Sequence, residues 1–132
     1  MRSLTLTKEQ LRNMIEHVNT HAPLEACGLL AGKDSKVEKV IAVRNQAQSP
    51  LRYVMDSVEQ LSAFRWIDSN GLDLIGIFHS HPSGPETLSG TDIAESAYAA
   101  VHVILARDES VWHTRGFWME ADGIHEVTLQ IE

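Results

Sequence analysis

Residues 72–92 read LDLIGIFHSHPSGPETLSGTD, and the interpretation of the whole chain starts from this stretch. Its first part, residues 72–78, is apolar and rich enough in β-branched side chains to predict a buried strand. His79 and His81 follow at the end of that strand, and side chains two residues apart on a strand point to the same face. Both imidazoles could therefore reach one metal ion.

A loop and a helix start follow the two histidines. Residues 82–85 contain two prolines and a glycine, so the chain must leave the strand there as a loop. Ser89 and Asp92 then begin a helix, because residues 93–97 are good helix formers. The strand end, the loop and the helix start could together hold three metal ligands.

His79, His81 and Asp92 offer two imidazole nitrogens and one carboxylate oxygen, a donor set that suits zinc. Three protein ligands leave the fourth position of a tetrahedral zinc ion open, as in catalytic sites, whereas structural zinc is usually closed by four. The alternative is that Ser89 and Asp92 form only a helix-capping box. Both interpretations can hold together, because the capping residues can also face the metal. We therefore predict one zinc ion per chain.

The motif His-x-His, seven residues, then Ser-x-x-Asp is matched by His79, His81, Ser89 and Asp92 without a gap. It resembles the motif of the JAMM (MPN-plus, JAB1/MPN/Mov34) zinc metalloprotease family. That family also places a glutamate upstream, and Glu25 fits this position. The resemblance covers nearly the whole chain and is closest to a minimal, prokaryotic-type member.

The resemblance implies a fold and an activity. The implied fold is α/β, a mixed β-sheet flanked by helices, similar to cytidine deaminases and spanning residues 1–132 as a single domain. The implied activity is amide hydrolysis, often of the isopeptide bond after the C-terminal Gly-Gly of a ubiquitin-like protein. Small members act on sulfur-carrier proteins with ubiquitin-like folds and release an amino acid. The sequence does not choose between these substrates.

Glu25 and Ser89 are the candidate catalytic residues. Glu25 would take a proton from the attacking water and later deliver it to the leaving amine. Ser89 would donate a hydrogen bond to the oxyanion as the carbonyl becomes tetrahedral. The alternative for Glu25 is a solvated residue in a turn between helix and strand. We favour the base, because the next acidic residue, Asp34, lies beyond the following apolar run.

Composition indicates an ordinary soluble domain. Apolar residues make up 43% and charged residues 22% of the 132 residues, and no apolar run is long enough for a membrane span. The N-terminus lacks the apolar core of a signal peptide, and the single cysteine, Cys27, suits a reducing cytosol. We therefore expect a cytoplasmic protein, with Cys27 as a small core residue rather than a thiol nucleophile.

The formal net charge of −7 comes from 18 acidic and 11 basic residues, so the chain would repel a phosphate backbone on average. We expect neither nucleic acid nor a membrane as a partner. A homodimer is compatible with the sequence, which does not reveal the oligomeric state. Two other interpretations remain open: a RadC-like protein, which the same His-x-His-Pro-Ser-Gly run resembles, and a non-enzymatic MPN scaffold. A scaffold has no reason to keep all five motif residues and should purify without stoichiometric zinc.

Capping patterns predict two helices. The first begins at Thr7, ends before Pro23 and carries an apolar stripe of Leu11, Met14, Ile15 and Val18. The second begins at Asp56, ends at Asn70-Gly71 and has four residues at helical spacing: Val58, Leu61, Phe64 or Arg65, and Ile67.

Alternating and apolar runs predict the strands. Besides the strand before His79, they lie over residues 26–32, 37–44, 53–55, 101–105, 111–119 and 124–131. Residues 46–50 are expected to form a loop over the site. His102, His113 and His125 alternate within strand patterns, and we expect them to be surface or satisfied structural groups.

Overall fold

The computed structural model describes residues 3–89, 92 and 99–132. The described elements, in chain order, are β1 (Ser3–Leu6), α1 (Lys8–His21), β2 (Cys27–Lys33), β3 (Lys36–Val43), α2 (Ser57–Ser69), β4 (Asp73–His81), β5 (Val101–Asp108), β6 (Val111–Glu120) and β7 (Gly123–Ile131). The predicted mixture of helices and strands is therefore confirmed. No helix in the described ranges is both long and apolar enough to cross a membrane.

The strands form one mixed sheet in the order β1-β3-β2-β4-β5-β6-β7, which closes on itself as a barrel. β4 is antiparallel to β2 and parallel to β5, so the predicted mixed pairing is confirmed. The closure differs from the expected sheet flanked by helices. It depends on β1, which pairs in parallel with β7 along its whole length and with β3 at Thr5 and Lys36. The likeness to cytidine deaminases stays a prediction.

α1 forms where the sequence predicts it. The Thr7 hydroxyl accepts a hydrogen bond from the Gln10 backbone N–H, and the Gln10 side chain accepts one from the Thr7 N–H. These two backbone N–H groups, which have no partner within the helix, are thereby satisfied. Met14 and Val18 are buried in the larger core cluster beside Leu4 and Leu6 of β1. The helix ends at His21, before Pro23, as expected.

α2 has the predicted ends but a different buried face. The Asp56 carboxylate accepts from the Glu59 N–H at the start, and Asn70 caps the end. Ala63 and Ile67 are buried, whereas Val58 and Leu61 are 75% and 50% exposed, so the predicted stripe is wrong for those two. The buried face runs through a small residue, Ala63, which a search for large apolar residues at helical spacing misses.

The local structure differs from the sequence predictions at residues 53–55 and at β1. Residues 53–55 are not a strand, because only Met55 forms a β-bridge, with Asn45, inside a loop. The short β1 was not predicted at all, although Leu4 and Leu6 alternate with polar residues and are fully buried. The predicted helix after Ser89 lies outside the described residues except for Asp92 itself.

At Gly28, β2 packs closely against Phe78 of β4 and Ile41 of β3. A Cβ built at this position would collide with the Phe78 ring of β4 and approach the Ile41 carbonyl oxygen to 2.6 Å. We expect Gly28→Ala to lower the free energy of unfolding by about 1–3 kcal/mol, as overpacking of a core does. Urea denaturation measures the change. The control is Ala42→Ser, at the exposed β3 residue that pairs with Gly28; equal stability of the two variants would contradict this description of the packing.

Candidate metal centre and active site

β4 carries both histidines into the interior. His79 is fully buried and His81 is 5% exposed, and both lie at the end of β4, where the strand is paired with β2 as far as His79 and with β5 as far as His81. His79 lies opposite Cys27 of β2 and beside Ile104 of β5. Pairing on both sides fixes the backbone, so the alternation of the strand sends both imidazoles to one face, as predicted.

Asp92 completes a triangle of ligand atoms with the two histidines. The Nε2 atoms of His79 and His81 are 3.1 Å apart, and Asp92 Oδ2 lies 3.1 Å from the first and 3.2 Å from the second. A tetrahedral zinc ion with ligands at 2.0–2.1 Å requires ligand atoms to be about 3.3 Å apart. The three predicted metal ligands are therefore brought together at a spacing that fits such an ion.

The hydrogen bonds around His81 identify its ligand atom. His81 Nδ1 lies 2.7 Å from the Pro85 carbonyl oxygen, and because a carbonyl only accepts, Nδ1 must carry the proton. In the neutral ring this leaves the Nε2 lone pair pointing into the triangle. A histidine that donates from one nitrogen to a carbonyl and presents the other is the usual arrangement at metal sites. Three electron-rich atoms this close need a proton or a metal cation between them.

The protonation states suit a metal ligand set. Burial lowers the pKa of His79, so its imidazole is neutral, although the neighbouring Asp92 opposes this shift. Burial alone would raise the pKa of Asp92, but the close contacts of its carboxylate with the His79 and His81 rings hold that pKa well below its usual range. At neutral pH the triangle thus contains a carboxylate and a neutral imidazole, the forms that bind metals.

Glu25 lies beside this triangle. Glu25, His79 and His81 each offer one ligand atom within 4.8 Å of the other two. The Glu25 side chain is 4% exposed, and among the described residues its Oε1 atom has no hydrogen-bond partner. Burial raises the pKa of this carboxyl to about 7. The structure therefore places the predicted base next to the predicted ligands and does not support a solvated turn residue.

Ser80, between the two histidines, fixes the backbone next to Glu25. Its hydroxyl accepts a hydrogen bond from the Ala26 N–H at 2.8 Å, and its own N–H donates to the Ala26 carbonyl at 2.9 Å. This role of Ser80 was not predicted. Ala26 is 54 residues away in sequence, and nothing in the local pattern shows that the two residues are adjacent in space.

Ser89 and Asp92 form the predicted reciprocal capping contacts. The Ser89 hydroxyl accepts from the Asp92 N–H at 3.0 Å, and the Ser89 N–H donates to Asp92 Oδ2 at 2.8 Å. Asp92 Oδ2 is also the triangle atom, so the capping and metal-facing interpretations hold together. The Ser89 hydroxyl proton is not used in this contact and can be donated elsewhere.

The structure also defines the positions of three further histidines, Cys27 and Tyr53. His102, expected at the surface or in a satisfied structural role, is buried on β5, and burial lowers its pKa to about 4. His113 and His125 are exposed. Cys27 is buried, as predicted, and donates to the Val43 carbonyl; burial raises its pKa to about 12, so it is a thiol rather than a nucleophilic thiolate at neutral pH. The Tyr53 ring, which the sequence analysis gave no role, stacks on His79.

Residues 7–120 match the family described as prokaryotic homologs of the JAB domain (Prok-JAB). The chain belongs to this family. This confirms the resemblance of the His79–Asp92 motif to the JAMM metalloproteases.

Three relatives have similar sequences. The chain is 36% identical to the desampylase of Pyrococcus furiosus, over 98% of this chain and 91% of the relative. It is 38% identical to a probable TtuB-protein conjugate cleaving protease of Thermus thermophilus, over 74% of this chain and 68% of the relative. It is 31% identical to the CysO-cysteine peptidase of Mycobacterium tuberculosis, over 77% of this chain and 71% of the relative. The predicted hydrolytic enzyme is thereby confirmed.

Solved structures support the fold. A protein of Desulfitobacterium hafniense, 33% identical, superimposes with a TM-score of 0.87 over 98% of this chain and 92% of that chain. A JAB1/MPN domain protein of Archaeoglobus fulgidus, 22% identical, superimposes with a TM-score of 0.63 over 98% of both chains and shows the fold alone.

Asp92→Asn tests the triangle. The amide keeps the shape of the side chain but removes the negative charge, so we expect zinc affinity to fall at least roughly 10- to 100-fold. Competition with a chromophoric chelator measures the dissociation constant. Asp68→Asn, the same change at an exposed position on α2, should bind zinc as the unchanged protein does. Unaltered zinc stoichiometry and affinity in Asp92→Asn would remove Asp92 from the ligand set.

Proposed function

We propose that this chain is a zinc-dependent peptidase that hydrolyses the amide bond after the C-terminal Gly-Gly of a ubiquitin-like or sulfur-carrier protein. The observation that carries the proposal is the triangle of His79, His81 and Asp92 with the buried carboxyl of Glu25 beside it. The names of the relatives, a desampylase, a probable TtuB-protein conjugate cleaving protease and a CysO-cysteine peptidase, support the same class of substrate.

His79, His81 and Asp92 would hold the zinc ion through Nε2, Nε2 and Oδ2. Bound zinc supplies Lewis-acid polarisation of the scissile carbonyl and lowers the pKa of a water ligand to about 7. Zinc fits this site for two reasons. The donors are two imidazoles and one carboxylate, and the three ligand atoms lie 3.1–3.2 Å apart.

Glu25 would act as the general base and acid. Its buried carboxyl, with a pKa raised to about 7, can both accept a proton from the attacking water and return one to the leaving amine near neutral pH. Ser89 would donate its hydroxyl proton to the oxyanion, since the contact with Asp92 uses only the hydroxyl oxygen.

The substrate tail would enter as an extended segment. A Gly-Gly end has no side chains, so it fits a narrow approach to the site and can pair with a strand edge. Cleavage of an isopeptide bond and release of a single amino acid from a carrier remain alternatives. A cytoplasmic location, one domain over residues 1–132 and a homodimer likewise stay predictions.

Glu25→Gln tests whether Glu25 acts as the base or as a metal ligand. The amide cannot take a proton, so we expect turnover to fall below detection while one zinc ion per chain stays bound. Metal analysis and a cleavage assay on the same sample measure both. Glu38→Gln, at an exposed position on β3, is the matched control and should be fully active. Loss of zinc from Glu25→Gln would show that Glu25 is a ligand instead.

Ser89→Ala tests the oxyanion role. Removal of one donor should lower kcat by roughly 10²–10³-fold with zinc still bound. Ser89→Thr keeps a hydroxyl and the contact with the Asp92 N–H, so it should retain much more activity than the alanine variant. A rate for Ser89→Ala within a few-fold of the unchanged protein would limit Ser89 to capping.

The proposed activity is tested by intact-mass measurement. Ubiquitin-like and sulfur-carrier proteins of the host, each extended beyond the terminal Gly-Gly by one amino acid or by an isopeptide-linked peptide, are incubated with the zinc-loaded chain. We expect at least one to lose its extension at the glycine, and the type of extension lost distinguishes the two alternatives. Failure to cleave any of them, with zinc present, would contradict the proposed substrate class.

A further inference from the structure

The side chain of Asn45, the first residue of the loop 45–55, uses all of its hydrogen-bonding groups. Its Nδ2 donates to the carbonyl oxygens of Glu25 at 2.9 Å and Arg52 at 3.1 Å. Its Oδ1 accepts from the N–H groups of Ala47 at 3.0 Å and Val54 at 2.9 Å. Two donors and two acceptor positions are the full capacity of the amide. One side chain thus ties both halves of the loop to Glu25.

Tyr53 lies between Arg52 and Val54, two of the loop residues that hydrogen-bond to Asn45. Its ring stacks on the His79 imidazole, with the centroids 4.6 Å apart and the planes 28° from parallel. A metal-binding histidine is usually oriented by a hydrogen bond from its second nitrogen. Among the described residues, His79 Nδ1 has no hydrogen-bond partner. The stacked ring therefore restrains His79 in the way that the Pro85 carbonyl restrains His81.

The same loop holds the peptide groups of Glu25. The Glu25 N–H donates to the Ser49 carbonyl at 2.8 Å, while the Glu25 carbonyl accepts from Asn45 Nδ2. The ends of the loop are joined separately, by the bridge between Asn45 and Met55 and by the hydrogen bond from the Gln46 N–H to the Val54 carbonyl. The contacts with Glu25 and His79 are thus additional to those that close the loop.

We propose that Asn45 and Tyr53 are positioning residues of the site: Asn45 fixes the backbone of Glu25 and the place of Tyr53, and Tyr53 fixes the His79 ring by stacking. This inference rests on the proposed roles of Glu25 as base and His79 as ligand. It implies that the order of the 45–55 loop sets two quantities together, the alignment of the base and the affinity for zinc.

Tyr53 variants test the stacking contact through metal affinity. We expect Tyr53→Leu to bind zinc about 3- to 10-fold more weakly, the size expected for the loss of one aromatic contact. Tyr53→Phe keeps the ring, so its zinc dissociation constant should stay within about twofold of that of the unchanged protein. Equal zinc affinity of the unchanged protein and both variants would overturn the stacking role. An equal loss of zinc affinity in Tyr53→Phe and Tyr53→Leu would show that the hydroxyl, and not the ring, is the group that matters.

Asn45→Asp tests the hydrogen bond from the Asn45 side chain to the Glu25 carbonyl. The carboxylate has the same shape, but it faces the carbonyl oxygens of Glu25 and Arg52 without protons to donate. We expect kcat to fall roughly 10- to 100-fold through misplacement of the base, with KM within about twofold and one zinc ion per chain. Amide hydrogen exchange at Glu25 should become faster. Gln46→Glu makes the same chemical change at the next, exposed residue and should leave kcat and exchange unchanged.

The outcomes separate this inference from the proposed function. A thermal unfolding scan checks that each variant folds, and Asn45→Ser replaces Asn45→Asp if the charge prevents folding. If the unchanged protein cleaves its substrate but Asn45→Asp keeps both its kcat and its Glu25 exchange rate, the positioning role is wrong and the function stands. If no substrate is cleaved, the zinc affinities and the exchange rates still decide the positioning role.

Discussion

The antiparallel pairing of β2 with the end of β4 is the contact on which the candidate site depends. It places Cys27 opposite His79 and lets Ser80 bond both peptide groups of Ala26. Glu25 precedes Ala26 directly, so the candidate base and two candidate metal ligands from distant parts of the sequence meet with little freedom. A slip of one residue would turn both imidazoles away from the site, because strand side chains alternate between faces.

The electrostatics of the site follow from its burial. Two imidazoles and a carboxylate that point at each other in the interior are costly unless a cation lies between them. The same burial raises the pKa of Glu25 and lowers that of His79, which puts a proton acceptor beside a neutral imidazole. The loop of residues 45–55 adds the contacts with Glu25 and His79 that the strands do not supply. The sheet therefore sets the backbone of the two histidines, and the loop contacts the peptide groups of Glu25 and the His79 ring.

The elements predicted from sequence were those with strong local patterns. The capping box of α1, the strand that carries His79 and His81 and the ligand motif all follow from short-range spacing, and their described residues lie where predicted. Closure of the barrel could not be predicted, since it depends on long-range pairing of the four-residue β1. The contacts of Ser80 with Ala26, of Asn45 with Glu25 and of Tyr53 with His79 were missed for the same reason, because each joins residues distant in sequence. The buried face of α2 was mistaken because Ala63 carries little hydrophobic signal.

X-ray absorption at the zinc edge of the protein loaded with one equivalent of zinc tests the central claim most directly. The account predicts four nitrogen or oxygen neighbours at about 2.0–2.1 Å, with outer-shell scattering from two imidazoles. A sulfur neighbour at about 2.3 Å would implicate Cys27 and contradict the account. A number of imidazoles other than two would contradict the ligand set of His79, His81 and Asp92.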